Sequence, residues 1–227
     1  MRLSVVLPCF NEEQNIRNAV RDVAVWMQSA NIDGDIIVVD DGSKDGSPAV
    51  LDRLKEEIGS LRIVQHSKNQ GYGLAVRSGC DAATMEWIAF MDSDGQFLAK
   101  DLSLLLAHTD RFPFVTGRRA HRADSFVRNM FGKVLGAMNV LVLQLWVRDV
   151  NCGLKVFRRD IWKDIRPTRG VEKLFNTEMF LRLKQKKIPW YQVNVPHYPR
   201  LLGTQTGGSP RVIVRMFKEL WDLRTQR

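Results

Sequence analysis

Four short, almost wholly apolar runs punctuate the first 91 residues, and each is followed by a stretch with helical spacing. Residues 3–8, 35–40, 61–65 and 87–91 read as strands, and residues 12–29, 47–58, 73–83 and 101–109 as helices. Strands that are apolar nearly throughout must be covered on both faces, and their alternation with helices builds a parallel sheet. The predicted fold class is therefore α/β: an open, doubly wound, mostly parallel sheet with helices on both faces. Ligands in such sheets collect at the carboxyl ends of the strands. The second half is less regular, with strands predicted over 114–118, 152–158 and 190–196. Helices are predicted there over 125–146, 175–186 and 211–224, and residues 201–210, with three Gly and two Thr, form the candidate mobile loop.

Polar residues fall where the sheet rule expects a ligand. The first strand runs into Pro8-Cys-Phe-Asn-Glu12, the second into Asp40-Asp-Gly-Ser43 and the fourth into Asp92-Ser-Asp94. Turn or helix capping is the lesser, competing reading of Asp40 or Asp41 taken alone. Three acidic clusters along one crevice repel one another unless a cation or a hydrogen-bonding ligand is present. Asp92, Asp94 and Gln96 alternate, so extended chain would offer their oxygens to one side, a hard donor set suited to Mg²⁺ or Mn²⁺ bridging to a diphosphate. Asp33-Gly-Asp35 has the same pattern but reads as a turn before the second strand.

Several chemistries are excluded. There is no phosphate-binding P-loop, no dinucleotide glycine fingerprint and no G-x-S-x-G nucleophile elbow. His66, His108, His121 and His197 lack metal-ligand spacing, and Cys9, Cys80 and Cys152 are read as core residues of a reducing compartment. The longest apolar segment, 134–147, falls short of the ~20 residues needed to span a bilayer. Charge is divided along the chain: residues 1–110 carry 10 Lys+Arg and 17 Asp+Glu, net −7, and residues 111–227 carry 24 and 8, net +16. One surface for cations and another for anions is the expectation. A receiver domain would share the paired acids but leaves the basic half unexplained. No nucleic-acid module is recognisable in that half, so no nucleic-acid partner is expected.

Val5-Val-Leu-Pro-Cys-Phe-Asn-Glu-Glu13, Ile37-Val-Val-Asp-Asp-Gly-Ser-Lys-Asp-Gly46, Asn69-Gln-Gly-Tyr-Gly73 and Met91-Asp-Ser-Asp-Gly-Gln96 occur in that order. Together they resemble the family-two inverting glycosyltransferases of the GT-A fold. Gly117-Arg118, Asp149-Val-Asn-Cys-Gly-Leu-Lys155 and Val195-Pro-His-Tyr-Pro-Arg200 narrow the resemblance to dolichyl-phosphate mannose synthase and the polyprenyl-phosphate sugar transferases. The resemblance implies one GT-A catalytic domain over 1–227, with 1–110 as the nucleotide-sugar half and 111–227 as the acceptor half. By the same resemblance Pro8, Phe10, Glu12, Asp40, Asp41 and Asp92 bind the nucleotide sugar, and Asp92, Asp94 and Gln96 hold Mg²⁺ or Mn²⁺. Arg118, Arg128 and Arg200 bind the acceptor phosphate, and Asp94, Asp149 and Arg118 are the catalytic candidates. Asp149 is either a base or an orienting group, since a lipid phosphate is already anionic and needs no strong base. The implied reaction moves a sugar, first mannose from GDP-mannose, to a polyprenyl or dolichyl phosphate. UDP-glucose as donor is the alternative, and transfer to a saccharide hydroxyl the runner-up. The expected setting is peripheral at the cytoplasmic face of a membrane. Contact is made through a basic amphipathic helix over 126–146 or a membrane-anchored partner, with a buried core helix as the competing reading of that segment.

Overall fold

The computed structural model describes residues 1–120, 136, 140–141, 143–169, 174–200 and 202. In chain order the elements are β1 (Arg2–Cys9), α1 (Ile16–Ser29), β2 (Asp33–Asp40), α2 (Ser47–Glu57), β3 (Leu61–Gln65) and α3 (Tyr72–Ala82). There follow β4 (Trp87–Met91), α4 (Leu102–Leu106), β5 (Phe114–Arg119), β6 (Leu154–Arg158), α5 (Trp162–Ile165), α6 (Leu174–Gln185) and β7 (Trp190–Val195). The seven strands form one sheet in the order β3-β2-β1-β4-β6-β5-β7. Only β6 runs against its neighbours, β4 and β5; the other pairings are parallel. The carboxyl ends of six strands therefore share one rim. Because β6 is reversed, its first residue, Leu154, lies opposite Met91 at that rim.

Strand alternation divides the apolar residues between two cores. Leu3, Val5, Leu7 and Cys9 of β1 pack with Ile16, Val20 and Val23 of α1, Leu51 and Leu54 of α2, and Leu102 and Leu105 of α4. Val6, Ile37 and Val39 face the opposite way, onto Ala75, Val76 and Cys80 of α3 and the apolar residues of α6. Each fully buried Val, Leu or Ile contributes roughly 1.5–3 kcal/mol, so a strand with both faces covered anchors two layers at once. This is the doubly wound arrangement that the sequence predicts. All three cysteines are buried and unpaired, as core residues.

Two local readings change. Residues 33–35 are not a turn: Asp33, Gly34 and Asp35 belong to β2 and lie opposite Arg2, Leu3 and Ser4. A side chain at Gly34 would overlap the Leu3 carbonyl, so glycine is what lets the two backbones pair this early. Asp35 is spent on Arg62, at 2.8 Å. The long helix predicted over 125–146 does not reach Trp146. Positions 136, 140, 141 and 143 are helical, then Gln144 turns left-handed at φ 51° and the chain becomes irregular. Its amide still donates to the Val140 carbonyl, at 2.9 Å, and Lys184 Nζ caps its carbonyl at 2.7 Å. Leu143 and Leu145 enter the second core, whereas Leu141 and Trp146 are each 80% exposed. Among the described residues no helix is long and apolar enough to cross a membrane. The predicted helix over 211–224, and all of 201–210 except Leu202, lie outside the described residues.

One charge sits within the apolar interior. Lys155 of β6 is fully buried between Phe90 and Phe180, with Nζ 5.0 and 5.8 Å from their ring centres. It donates to the carbonyls of Cys152, at 2.5 Å, and Val150, at 3.3 Å, and so fastens the turn before β6. Burial lowers its pKa from 10.5 to about 8, against the opposing pull of Cys152, Asp149 and Asp92. Between those values the unfolded chain keeps a proton that the folded chain has lost. The group's contribution to stability is therefore greatest above pH 10.5 and falls as pH drops through 8. The gap corresponds to roughly 3 kcal/mol. Urea unfolding of the wild type and Lys155→Met between pH 7 and 10.5 should show their stability difference moving by about that amount in favour of the wild type. A difference that stays constant would refute the burial argument.

Candidate functional site

The rim is built first around the end of β4. The Asp92 amide donates to the Gly153 carbonyl at 3.1 Å, and its carboxylate accepts the Tyr72 hydroxyl at 2.9 Å. Burial, and then the nearby Asp94, raise the Asp92 carboxyl above the ordinary range, although Tyr72, Lys155 and Arg119 act to lower it. The Tyr72 phenol is itself pushed well up by burial and by Asp92, which keeps it a proton donor. Asp94 accepts the Gln96 amide at 3.1 Å and meets Arg200 at 3.5 Å. Ser93 donates to the Pro8 carbonyl at 2.6 Å, pinning this turn to the end of β1. Gln96 is buried, and its side-chain nitrogen donates to the Tyr198 carbonyl at 3.3 Å.

Among the described residues no group of three or more His, Cys, Asp or Glu side chains could by itself hold a metal ion. Asp92 and Asp94 nevertheless fit a hard divalent cation such as Mg²⁺, which commonly takes one or two carboxylates and completes its shell with water and phosphate oxygens. Burial of Asp92 and its repulsion by Asp94 both disfavour the carboxylate, and such an ion offsets them.

Beside this turn, a cavity of 960 Å³ opens at the ends of β1, β2 and β3, lined among others by Phe10, Ser43, Lys44, Gln65, His66 and Lys68. Asp40 is buried and holds two of the lining residues, accepting the Ser43 amide at 3.0 Å and Gln65 Nε2 at 3.5 Å. Asp41 has a different task. Its carboxylate accepts the amides of Gln70, at 2.9 Å, and Gly71, at 2.8 Å, and lies 2.6 Å from His66 Nδ1. With Nδ1 donating, His66 Nε2 accepts from Ser78 Oγ at 2.9 Å. Asp41 therefore organises the loop that starts α3, and it is not among the residues lining the cavity. Glu12 does not line it either; its carboxylate binds Asn15 and Arg200, each at 2.7 Å.

Across β6, Arg118 and Arg119 end β5 on opposite faces. Arg119, which the sequence reading passed over, grips Asp149 with Nε at 2.8 Å and Nη2 at 2.7 Å, and its amide donates to the same carboxylate at 3.1 Å. Both side chains are about nine-tenths buried. The Asp149 carboxylate is thus engaged by the Arg119 side chain and amide. Strand alternation at Gly117-Arg118-Arg119 was the signal that could have separated the two arginines. Arg128 lies outside the described residues. Gly153 completes the site by closeness: a side chain there would overlap the Asp92 carboxylate.

The model for glycosyl transferase family 2 matches residues 4–166. The chain is 32% identical over 230 residues to dodecaprenyl-phosphate galacturonate synthase of Rhizobium johnstonii, a match that covers 98% of this chain and 65% of that protein. It is 28% identical to dolichyl-phosphate beta-glucosyltransferase of Homo sapiens, over 86% of this chain and 66% of the relative. The chain thus spans about two thirds of the length of both. Glucosyl-3-phosphoglycerate synthase from Mycobacterium tuberculosis, solved with Mn²⁺, uridine diphosphate and glucosyl-3-phosphoglycerate, shares the fold with a TM-score of 0.67 at 20% identity. That match covers 96% of this chain and 80% of that one.

The closeness of Gly153 to Asp92 is directly testable. Gly153→Ala is expected to displace the Asp92 carboxylate and weaken Mn²⁺ binding by about tenfold or more, with far-ultraviolet circular dichroism unchanged. A Mn²⁺ titration followed by electron paramagnetic resonance measures it, and unaltered affinity would remove Asp92 from the metal site.

Proposed function

The chain belongs to glycosyl transferase family 2, and we propose that within it the protein transfers a sugar from a nucleoside diphosphate to the phosphate of a polyprenyl or dolichyl lipid. The observation that carries this reading is the pairing of two features at one rim. Asp92 and Asp94 form a carboxylate pair suited to a metal-bound diphosphate, and the buried Arg119–Asp149 pair stands at the end of β5, near enough to act on Asp92. The names of two relatives, a dodecaprenyl-phosphate and a dolichyl-phosphate sugar transferase, support the acceptor. They are named for galacturonate and glucose rather than mannose, and so favour the sugar of the UDP-glucose alternative over mannose.

In this reading the cavity beside Phe10 and Asp40 takes the base and ribose, and Asp92 and Asp94 hold Mg²⁺ or Mn²⁺. The ion supplies Lewis-acid stabilisation of the charge that gathers on the departing diphosphate. A lipid-phosphate oxygen attacks the anomeric carbon in line as the bond to the diphosphate breaks, which inverts the configuration. The diphosphate leaves with the bonding electrons. The attacking phosphate is already an anion, so no side chain has to remove a proton. Arg119, its fork held by Asp149, keeps a fixed positive charge near Asp92 at the rim where the phosphates gather. Arg118 and Arg128 remain candidates for further contacts to the acceptor. Such a lipid resides in a membrane, and exposed Leu141 and Trp146 favour peripheral contact with its surface.

The test is to incubate the protein with Mn²⁺, polyprenyl phosphate and a panel of UDP- and GDP-sugars, and to identify the product by mass spectrometry. A lipid-phosphate sugar from a UDP donor is expected. Asp94→Ala should reduce transfer by about a hundredfold or more, the usual scale for losing electrostatic stabilisation of a developing charge. Arg119→Ala should reduce it about tenfold or more, through loss of charge-assisted hydrogen bonds. Sugar appearing on a saccharide hydroxyl, with none on the lipid phosphate, would overturn the reading.

A further inference from the structure

After β7 the chain turns back across the carboxylate rim, and side chains from two separate turns fasten it there. The Tyr198 amide donates to the Gln96 carbonyl at 3.0 Å, and Gln96 Nε2 returns a bond to the Tyr198 carbonyl at 3.3 Å. The rings of Phe97 and His197 meet edge to face, 5.3 Å between centres. At the other end, Asn15 Nδ2 donates both to Glu12, at 2.7 Å, and to the Leu202 carbonyl, at 3.3 Å.

Arg200 lies between these fastenings. One guanidinium nitrogen is 2.7 Å from Glu12, a second is 3.5 Å from Asp94, and Nε donates to the Leu202 carbonyl at 2.8 Å. The distances rank the two carboxylates. Glu12 makes a full charge-assisted hydrogen bond, whereas the Asp94 contact is at the limit of one. Both members of the Arg200–Glu12 pair expose only about a tenth of their side chains, so water screens the pair weakly.

We propose that Glu12 is a positioning residue: it holds Arg200 beside Asp94, and so presents a fixed positive charge to the donor diphosphate on a segment docked by Asn15 and Gln96. The proposal rests on the reading of the rim as a nucleotide-sugar site. It separates from a general field effect by sign. If Glu12 acted only through its own charge, neutralising it would improve binding of an anionic nucleotide. If it acts through Arg200, neutralising it frees the guanidinium to turn onto Asp94 and weakens that binding.

The experiment measures binding of UDP and GDP at saturating Mn²⁺, by calorimetry, to wild type, Glu12→Gln, Arg200→Gln and the double variant, with thermal unfolding as a check on folding. Glu12→Gln should weaken nucleotide binding by about tenfold. The double variant should be within about twofold of Arg200→Gln, because two residues acting through one contact are not additive. A second arm needs no ligand: trypsin cleavage at the bond after Arg200, followed by mass spectrometry, should be faster in Glu12→Gln and in Asn15→Ala than in wild type. The proposal is overturned if Glu12→Gln binds nucleotide as tightly as wild type or more tightly, if the two substitutions add, or if cleavage is unchanged. Failure of the wild type to bind either nucleotide would overturn the reading of the site instead, and the cleavage arm would still decide whether Glu12 docks the segment.

Discussion

Carboxylates collected at one rim repel one another, and the protein keeps them there by giving each its own set of donors. Asp40 takes the Ser43 amide, Asp41 two loop amides and His66, Asp92 the Tyr72 hydroxyl, and Asp149 the Arg119 fork. Asp94 and Glu12 share Arg200. This division separates residues that look alike in sequence. Asp41 is engaged by the fold, through two amides of the loop that starts α3 and the His66 ring. Asp92 is buried and has Asp94 beside it, both of which disfavour its charged form, so a cation there is stabilising.

The opposite charges of the two halves of the chain meet at this rim. Arg119, Lys155 and Arg200 come from the basic half, and Asp92, Asp94 and Glu12 from the acidic half. The reversed strand β6 makes the meeting direct, since its antiparallel pairing with β4 returns the turn over 149–153 to the end of β4. Lys155 then secures that turn from beneath, and Gly153 leaves room above it for the Asp92 carboxylate. A net charge of +16 over residues 111–227 is thus not only a surface for anions; part of it is buried among the acids of the first half.

Most of the first half was legible in the residues themselves. Strands β3 and β4 have the predicted bounds, and β1 and β2 extend them by a residue or two, because fully apolar runs bounded by polar residues leave little choice of register. The pattern Asp33-Gly-Asp35 failed because glycine signals a turn in isolation, yet here it serves a close approach of β2 to β1. Helical spacing past residue 143 failed for another reason. Leu145 and Val147 are buried by an irregular segment, and alternation of buried and exposed residues can look helical over a few positions. What the sequence left out was the pairing of residues: Glu12 with Arg200, Asp149 with the overlooked Arg119, and His66 with Asp41.

By itself the sequence determined the sheet, its two covered faces and the side on which polar residues gather, since these follow from the period and chemistry of neighbouring residues. Only the tertiary structure decided which donors each carboxylate takes, and which of two adjacent arginines is held by Asp149. Those choices depend on contacts between residues as much as 188 positions apart, as in Arg200 and Glu12, and no local pattern records them.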